Sequence, residues 1–110
     1  MIPSQMLKGV LEGCILKVIQ EQETYAYEIS EKLKVYGFGD ISEGTIYPII
    51  LRLNKGALIE GTLRASSKGP KRKYYHLTDR GKEELEIFEK NWLHLQEAIQ
   101  HLFKGRKENE

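Results

Sequence analysis

Between Ser4 and Glu21 the apolar residues Met6, Leu7, Val10, Leu11, Cys14, Ile15, Val18 and Ile19 recur at steps of three and four, the spacing of side chains along one side of a helix. The pattern predicts a first helix over 4–21, with Leu16 off the main stripe. The stripe covers more than half the circumference, wider than the roughly 100° that one packing face needs. This helix is therefore expected to touch its own core on one side and a second body on the other. A second helix is predicted over "AYEISEKLKVY", where Ala26, Ile29, Leu33 and Tyr36 share a side and Gly37 supplies a left-handed cap. Ser42 is a suitable N-cap for a third helix, Glu43 to Lys55, with Ile46, Ile49, Ile50 and Leu53 at i, i+3, i+4 and i+7 and Gly56 at its end.

The period then changes. "ALIEGTLRA" and "KYYHLT" are rich in β-formers and are separated by "SSKGPKR", whose Gly-Pro forces a turn, so they are expected to pair as a hairpin. From Thr78 or Asp79 to about Phe103 the helical period returns, with Leu85, Phe88, Trp92, Leu95, Ile99 and Leu102 at heptad a and d positions. A helix of 26 residues is about 39 Å long, more than the small preceding unit can cover. Its apolar seam is expected to be buried by another chain, which makes Leu85, Phe88, Trp92, Leu95, Ile99 and Leu102 candidate dimer contacts. Met6 and Val10, on the over-wide stripe of the first helix, join them.

Charge changes this picture in one place. The 110 residues carry a formal net charge of only +1, yet residues 42 to 76 hold seven Lys/Arg against two Glu, a local +5 that leaves −4 for the rest. Exposed charges act over about 8 Å at physiological salt, so a local excess attracts polyanions whatever the total. The single cysteine, Cys14, rules out a disulfide within the chain and fits a reducing compartment, the cytoplasm. No apolar run approaches the roughly 18 residues of a membrane span, and no membrane partner is expected.

Three short helices followed by a basic hairpin is the order of a winged helix-turn-helix, in which the third helix enters the major groove and the wing lies along phosphates. The expected fold is mainly α with a β-hairpin: a winged helix-turn-helix over 1–77, a C-terminal dimerisation helix over 78–104, and a frayed polar tail over 105–110. The outer side of the third helix carries Gly44, Pro48, Leu51 and Lys55, flanked by Thr45 and Arg52 and by Glu43 and Tyr47. Gly44 costs about 1 kcal/mol in a helix relative to Ala, but lets the positive helix end approach a phosphate closely. With only Arg52 and Lys55 charged, the helix is poorly equipped for Arg–guanine readout. Base choice is therefore expected from Thr45, Tyr47 and small apolar contacts, with Ser42, Gly44, Pro48 and Arg52 as further DNA contacts of this helix, and affinity from the wing cations Arg64, Lys68, Lys71, Arg72 and Lys73, each of which steepens the log–log salt slope by about 0.9 per phosphate neutralised. Of Tyr74 and Tyr75, alternation turns one inward and one outward.

"GTIYPIILRLNKGALIEG", then "GPKRKYYHLTDRGKEEL", then a Trp in the last helix, resemble the PadR family of bacterial transcriptional repressors, over nearly the whole chain. One terminal helix after the wing looks like the short subfamily. The resemblance implies a homodimer, with the last helices packed on the partner's first helices, that binds a pseudo-palindromic double-stranded operator in the bacterial nucleoid and represses adjacent genes. It also implies a candidate ligand pocket at Trp92, Phe88 and Met6 for a planar aromatic or phenolic effector, since in some short members a Trp from each protomer lines a central pore.

Other chemistries fare worse. His94 and His101 are seven apart, about 10 Å along a helix, too far to share a metal within one chain, and no metal is expected. No catalytic carboxylate pair, Ser/His/Asp set, phosphate loop or cofactor fingerprint stands where a pocket would hold it, so neither an enzyme nor a cofactor is expected. The main competing expectation is a winged-helix protein-interaction module that binds no operator.

Overall fold

The computed structural model describes residues 2–67 and 69–105. Its elements run α1 (Ser4–Leu7), α2 (Leu11–Glu21), α3 (Ala26–Val35), α4 (Glu43–Lys55), β1 (Ile59–Arg64), β2 (Arg72–Leu77) and α5 (Asp79–Lys104). The core is built from β-branched and leucine side chains at the predicted periods: Ile15 and Ile19 of α2, Ile29 and Leu33 of α3, Ile46, Ile50 and Leu53 of α4, and Ile59 of β1 are all but fully buried. The expected third helix is α4, and the expected architecture, mainly helical with one hairpin and a long last helix, is the observed one.

The first helix is not continuous. It breaks over residues 8–10, where the Val10 N–H bonds to the Leu7 carbonyl at 3.0 Å in a tighter i to i−3 turn. Gly9 sits in that turn, and glycine costs about 1 kcal/mol in a helix interior. Leu16, expected off the stripe, is buried at 4% exposure. The reason is that α2 is packed from more than one side: α3, β2 and α5 all contact it. One of the bodies packed beside this helix is α5 of the same chain.

Caps behave as local chemistry dictates, with one exception. The Ser42 hydroxyl accepts from the Thr45 N–H at 3.3 Å, and Gly37 closes α3 at φ +105°. At the end of α4 the left-handed position falls on Ala57, φ 62°, one residue beyond Gly56. Bonds from Ala57 N–H to Asn54 and from Leu58 N–H to Leu53 close the turn, and they outweigh the Cβ strain that a non-glycine pays there.

β1 and β2 pair antiparallel from Ile59 opposite Leu77 to Arg64 opposite Arg72. Ile59, Tyr75 and Leu77 share the face turned to the core and are buried, so Tyr75 is the inward tyrosine. A single bridge extends the sheet: Thr24, just before α3, exchanges backbone hydrogen bonds with Tyr75 at 2.8 and 3.3 Å. α5 starts where the Thr78 hydroxyl accepts from the Gly81 N–H at 3.0 Å and donates to the Ala57 carbonyl at 2.7 Å. Gly81 lies against the Leu58 carbonyl, where a Cβ has no room. No helix among the described residues is long and apolar enough to cross a membrane.

Candidate nucleic-acid interface

With Ile46, Ile49, Ile50 and Leu53 turned inward, α4 presents Glu43, Gly44, Thr45, Tyr47, Pro48, Leu51, Arg52 and Lys55 to solvent. Ser42 is exposed at its start. A Cβ built on Gly44 meets only the Ser42 hydroxyl, at an ordinary 3.6 Å, so packing within the chain does not demand glycine here. Helix α4 passes through Pro48 without a break. Arg52 leans away from the exposed face toward α2, its Nε and Nη2 donating to Glu12 at 3.2 and 3.0 Å.

The wing cations divide. Strand alternation places Arg64 and Arg72 on the outer face of the hairpin, with Tyr74, and Lys73 on the opposite face, with Tyr75. Arg64 pairs with Glu23 and lies 4.8 Å from the centroid of Tyr74. Arg72 lies 4.6 Å over Tyr25. Lys71 and Lys73 are exposed and have no ion pair among the described residues. Lys68 falls outside the described residues. The turn between the strands is tied by the Ser66 hydroxyl, which donates to the carbonyls of Gly69 and Pro70, with Gly69 at φ +116°.

Helix and wing meet in an open cleft of about 370 Å³ whose lining includes Glu43 and Tyr47 from α4, Tyr25 and Tyr27 from the start of α3, and Arg72 and Lys73 from β2. Burial, and after it the neighbouring Tyr47, pushes the Tyr75 hydroxyl above the ordinary tyrosine pKa, so at neutral pH it is a neutral phenol. Sequence reasoning missed Tyr25 and Tyr27 at this site. Their only sequence signal is the aromatic spacing of "TYAY", which reads equally as the start of an amphipathic helix.

The predicted dimer seam divides as well. Leu85 is buried in its own chain and Phe88 is packed against the same core. From Trp92 onward the seam is open: Trp92, Leu95, Ile99 and Leu102 are 41%, 48%, 41% and 70% exposed. Val10 is half-buried on its own core, and Met6 is exposed at 74%. Trp92 and Phe88 line a groove of about 460 Å³ with Cys14, Val18, Leu33 and Tyr36. Met6 does not line that groove. Burial raises the Cys14 thiol pKa, which favours the protonated thiol over the thiolate at neutral pH.

His76 sits between Glu60, at 3.2 Å, and Glu23, at 3.7 Å, and His94 and His101 are exposed on α5. The described residues contain no cluster of three potential metal ligands.

Residues 15–87 match the model of the transcriptional regulator PadR-like family. The chain is 57% identical to a PadR-like transcriptional regulator from Bacillus cereus, whose crystal structure superposes with a TM-score of 0.83 over 93% of this chain and 99% of that one. It is 36% identical, over 96% of its own length and 98% of the other, to an uncharacterized protein from Lysinibacillus sphaericus. Bacillus subtilis PadR, solved in complex with operator DNA, is 29% identical with a TM-score of 0.65, over 76% of this chain and 46% of that one.

Proposed function

Because this chain belongs to the PadR-like family of transcriptional regulators, DNA-binding proteins rather than enzymes, we propose that it acts as a homodimeric repressor. In this reading α4 enters successive major grooves of a pseudo-palindromic operator, and the wings lie on the flanking phosphates. The observation that carries it is the shared cleft: Tyr47 and Glu43 of the reading helix line the same opening as Arg72 and Lys73 of the wing. The operator complex of the Bacillus subtilis relative supports the same assignment.

Residues 1–77 form the DNA-binding unit in this account and residues 78–104 the dimerisation helix, with part of α2 packing shared between the two. Ser42, Gly44, Thr45, Tyr47 and Pro48 face bases and backbone from α4. Lys71, Arg72 and Lys73 are the principal phosphate contacts. Arg52 and Arg64, paired with Glu12 and Glu23, contribute less net charge to the same surface. The uncovered seam from Trp92 to Leu102 is the dimer contact. The groove at Trp92 and Phe88 takes a planar aromatic effector, its apolar lining being suited to one.

The test is retardation of an operator fragment as salt is raised, comparing the wild-type chain with one in which Lys71, Arg72 and Lys73 are neutralised together. Weakened binding to all sequences with a flatter salt slope is expected. Unchanged affinity and slope refute the wing assignment.

A further inference from the structure

Arg64 and Arg72 stand directly opposite each other in the hairpin register, where like charges repel. The chain separates them by sending each to a different aromatic ring. The Arg72 guanidinium lies 4.6 Å over Tyr25, and its Nη1 donates to the Tyr25 hydroxyl at 2.9 Å. Arg64 lies over Tyr74 and pairs with Glu23. The two tyrosine rings meet edge to face with centroids 5.1 Å apart. A continuous row results across the outer face of the wing: Glu23, Arg64, Tyr74, Tyr25, Arg72.

One point of that row is fixed in the backbone. Thr24, between Glu23 and Tyr25, is fully buried and exchanges two backbone hydrogen bonds with Tyr75. Tyr25 therefore cannot shift relative to β2 without breaking the bridge. The ends of the row differ: among the described residues Arg64 has a carboxylate for a partner, whereas Arg72 is held by an aromatic ring and its hydroxyl and makes no ion pair. Most of its five N–H donors remain available, at the edge of the cleft that also holds Lys73 and Tyr47.

We propose that Tyr25 is a positioning residue for DNA binding, fixing Arg72 in the orientation in which it meets a phosphate before DNA arrives; this rests on the reading of the wing as a phosphate contact. A long side chain already held in one geometry loses less rotamer freedom on binding, and an aromatic face orients a guanidinium without neutralising it. Tyr25 itself need not touch DNA.

The test uses the full chain and the duplex that the wild-type protein selects from random sequence, with Tyr25→Leu, Tyr25→Phe, Arg72→Gln and the double variants compared over a salt series. Arg72→Gln is expected to weaken binding and to lower the slope by about 0.9 per bound chain. Tyr25→Leu is expected to weaken binding about two- to fivefold per bound chain with the slope retained, since the charge of Arg72 remains. Tyr25→Phe, which keeps the ring and loses the hydroxyl, falls between. Neither Tyr25 change has a further effect once Arg72 is Gln. Should Tyr25→Leu fail to fold, Tyr25→Phe carries the same comparison. Equal losses from the Tyr25 change with and without Arg72, or no loss while Arg72→Gln weakens binding, overturn the positioning role. If Arg72→Gln itself leaves affinity and slope unchanged, the wing reading falls and takes the proposal with it.

Discussion

The ring of Phe88 on α5 rests directly on Gly13 of α2, so closely that a Cβ at position 13 would fall within the ring's van der Waals envelope. This contact seats the long helix on the small domain. It also explains why a glycine is tolerated in the first turn of α2, where it is buried at the helix crossing.

Gly13→Ala is accordingly expected to destabilise the fold, because over-packing by about 1–3 kcal/mol exceeds the propensity gain of about 1 kcal/mol. Urea unfolding at unchanged m reads the difference. In a Phe88→Ala background the same change becomes stabilising. An alanine at 13 that stabilises the otherwise wild-type chain contradicts the contact.

Leu95→Asp separates assembly from folding. Leu95 is 48% exposed in the single chain, so a charge there is solvated in the monomer but would be buried unpaired in the dimer, at a cost of several kcal/mol. A monomer by sedimentation or light scattering, with helical circular dichroism retained, is the expected result. A dimer of unchanged mass removes the seam from the interface.

Much of this could be read in the chain because it is decided locally. Ser42 caps α4 through its own neighbour Thr45, the i, i+3, i+4, i+7 set of Ile46, Ile49, Ile50 and Leu53 is buried as its period requires, and Thr78 caps α5. What escaped is set by distant parts of the chain. Leu16 is buried where α5 returns across α2, and the left-handed turn falls on Ala57, whose carbonyl accepts from the Thr78 hydroxyl 21 residues further on. Residues 64–78 contain no acid, but Glu23 reaches Arg64 from 41 residues away and Tyr25 reaches Arg72 from 47. No periodicity reports such a pair.

Trp92 is the only tryptophan and lines the apolar groove with Phe88, so its fluorescence reports occupancy without ambiguity. Titration with a planar aromatic dye or a phenolic acid is expected to give saturable quenching, together with a weaker operator complex if the ligand is an inducer. Quenching that rises linearly without saturation, as for free tryptophan, argues against a site.

Hydroxyl-radical footprinting on the duplex the protein selects shows whether α4 and the wing of each of two chains engage one operator. Two protected half-sites are expected, related by a dyad and centred about 10 bp, or a multiple of that, apart, with flanking backbone protections that disappear when Lys71, Arg72 and Lys73 are neutralised. A single unpaired footprint, or no selected sequence and no salt-sensitive protection at all, would contradict that arrangement.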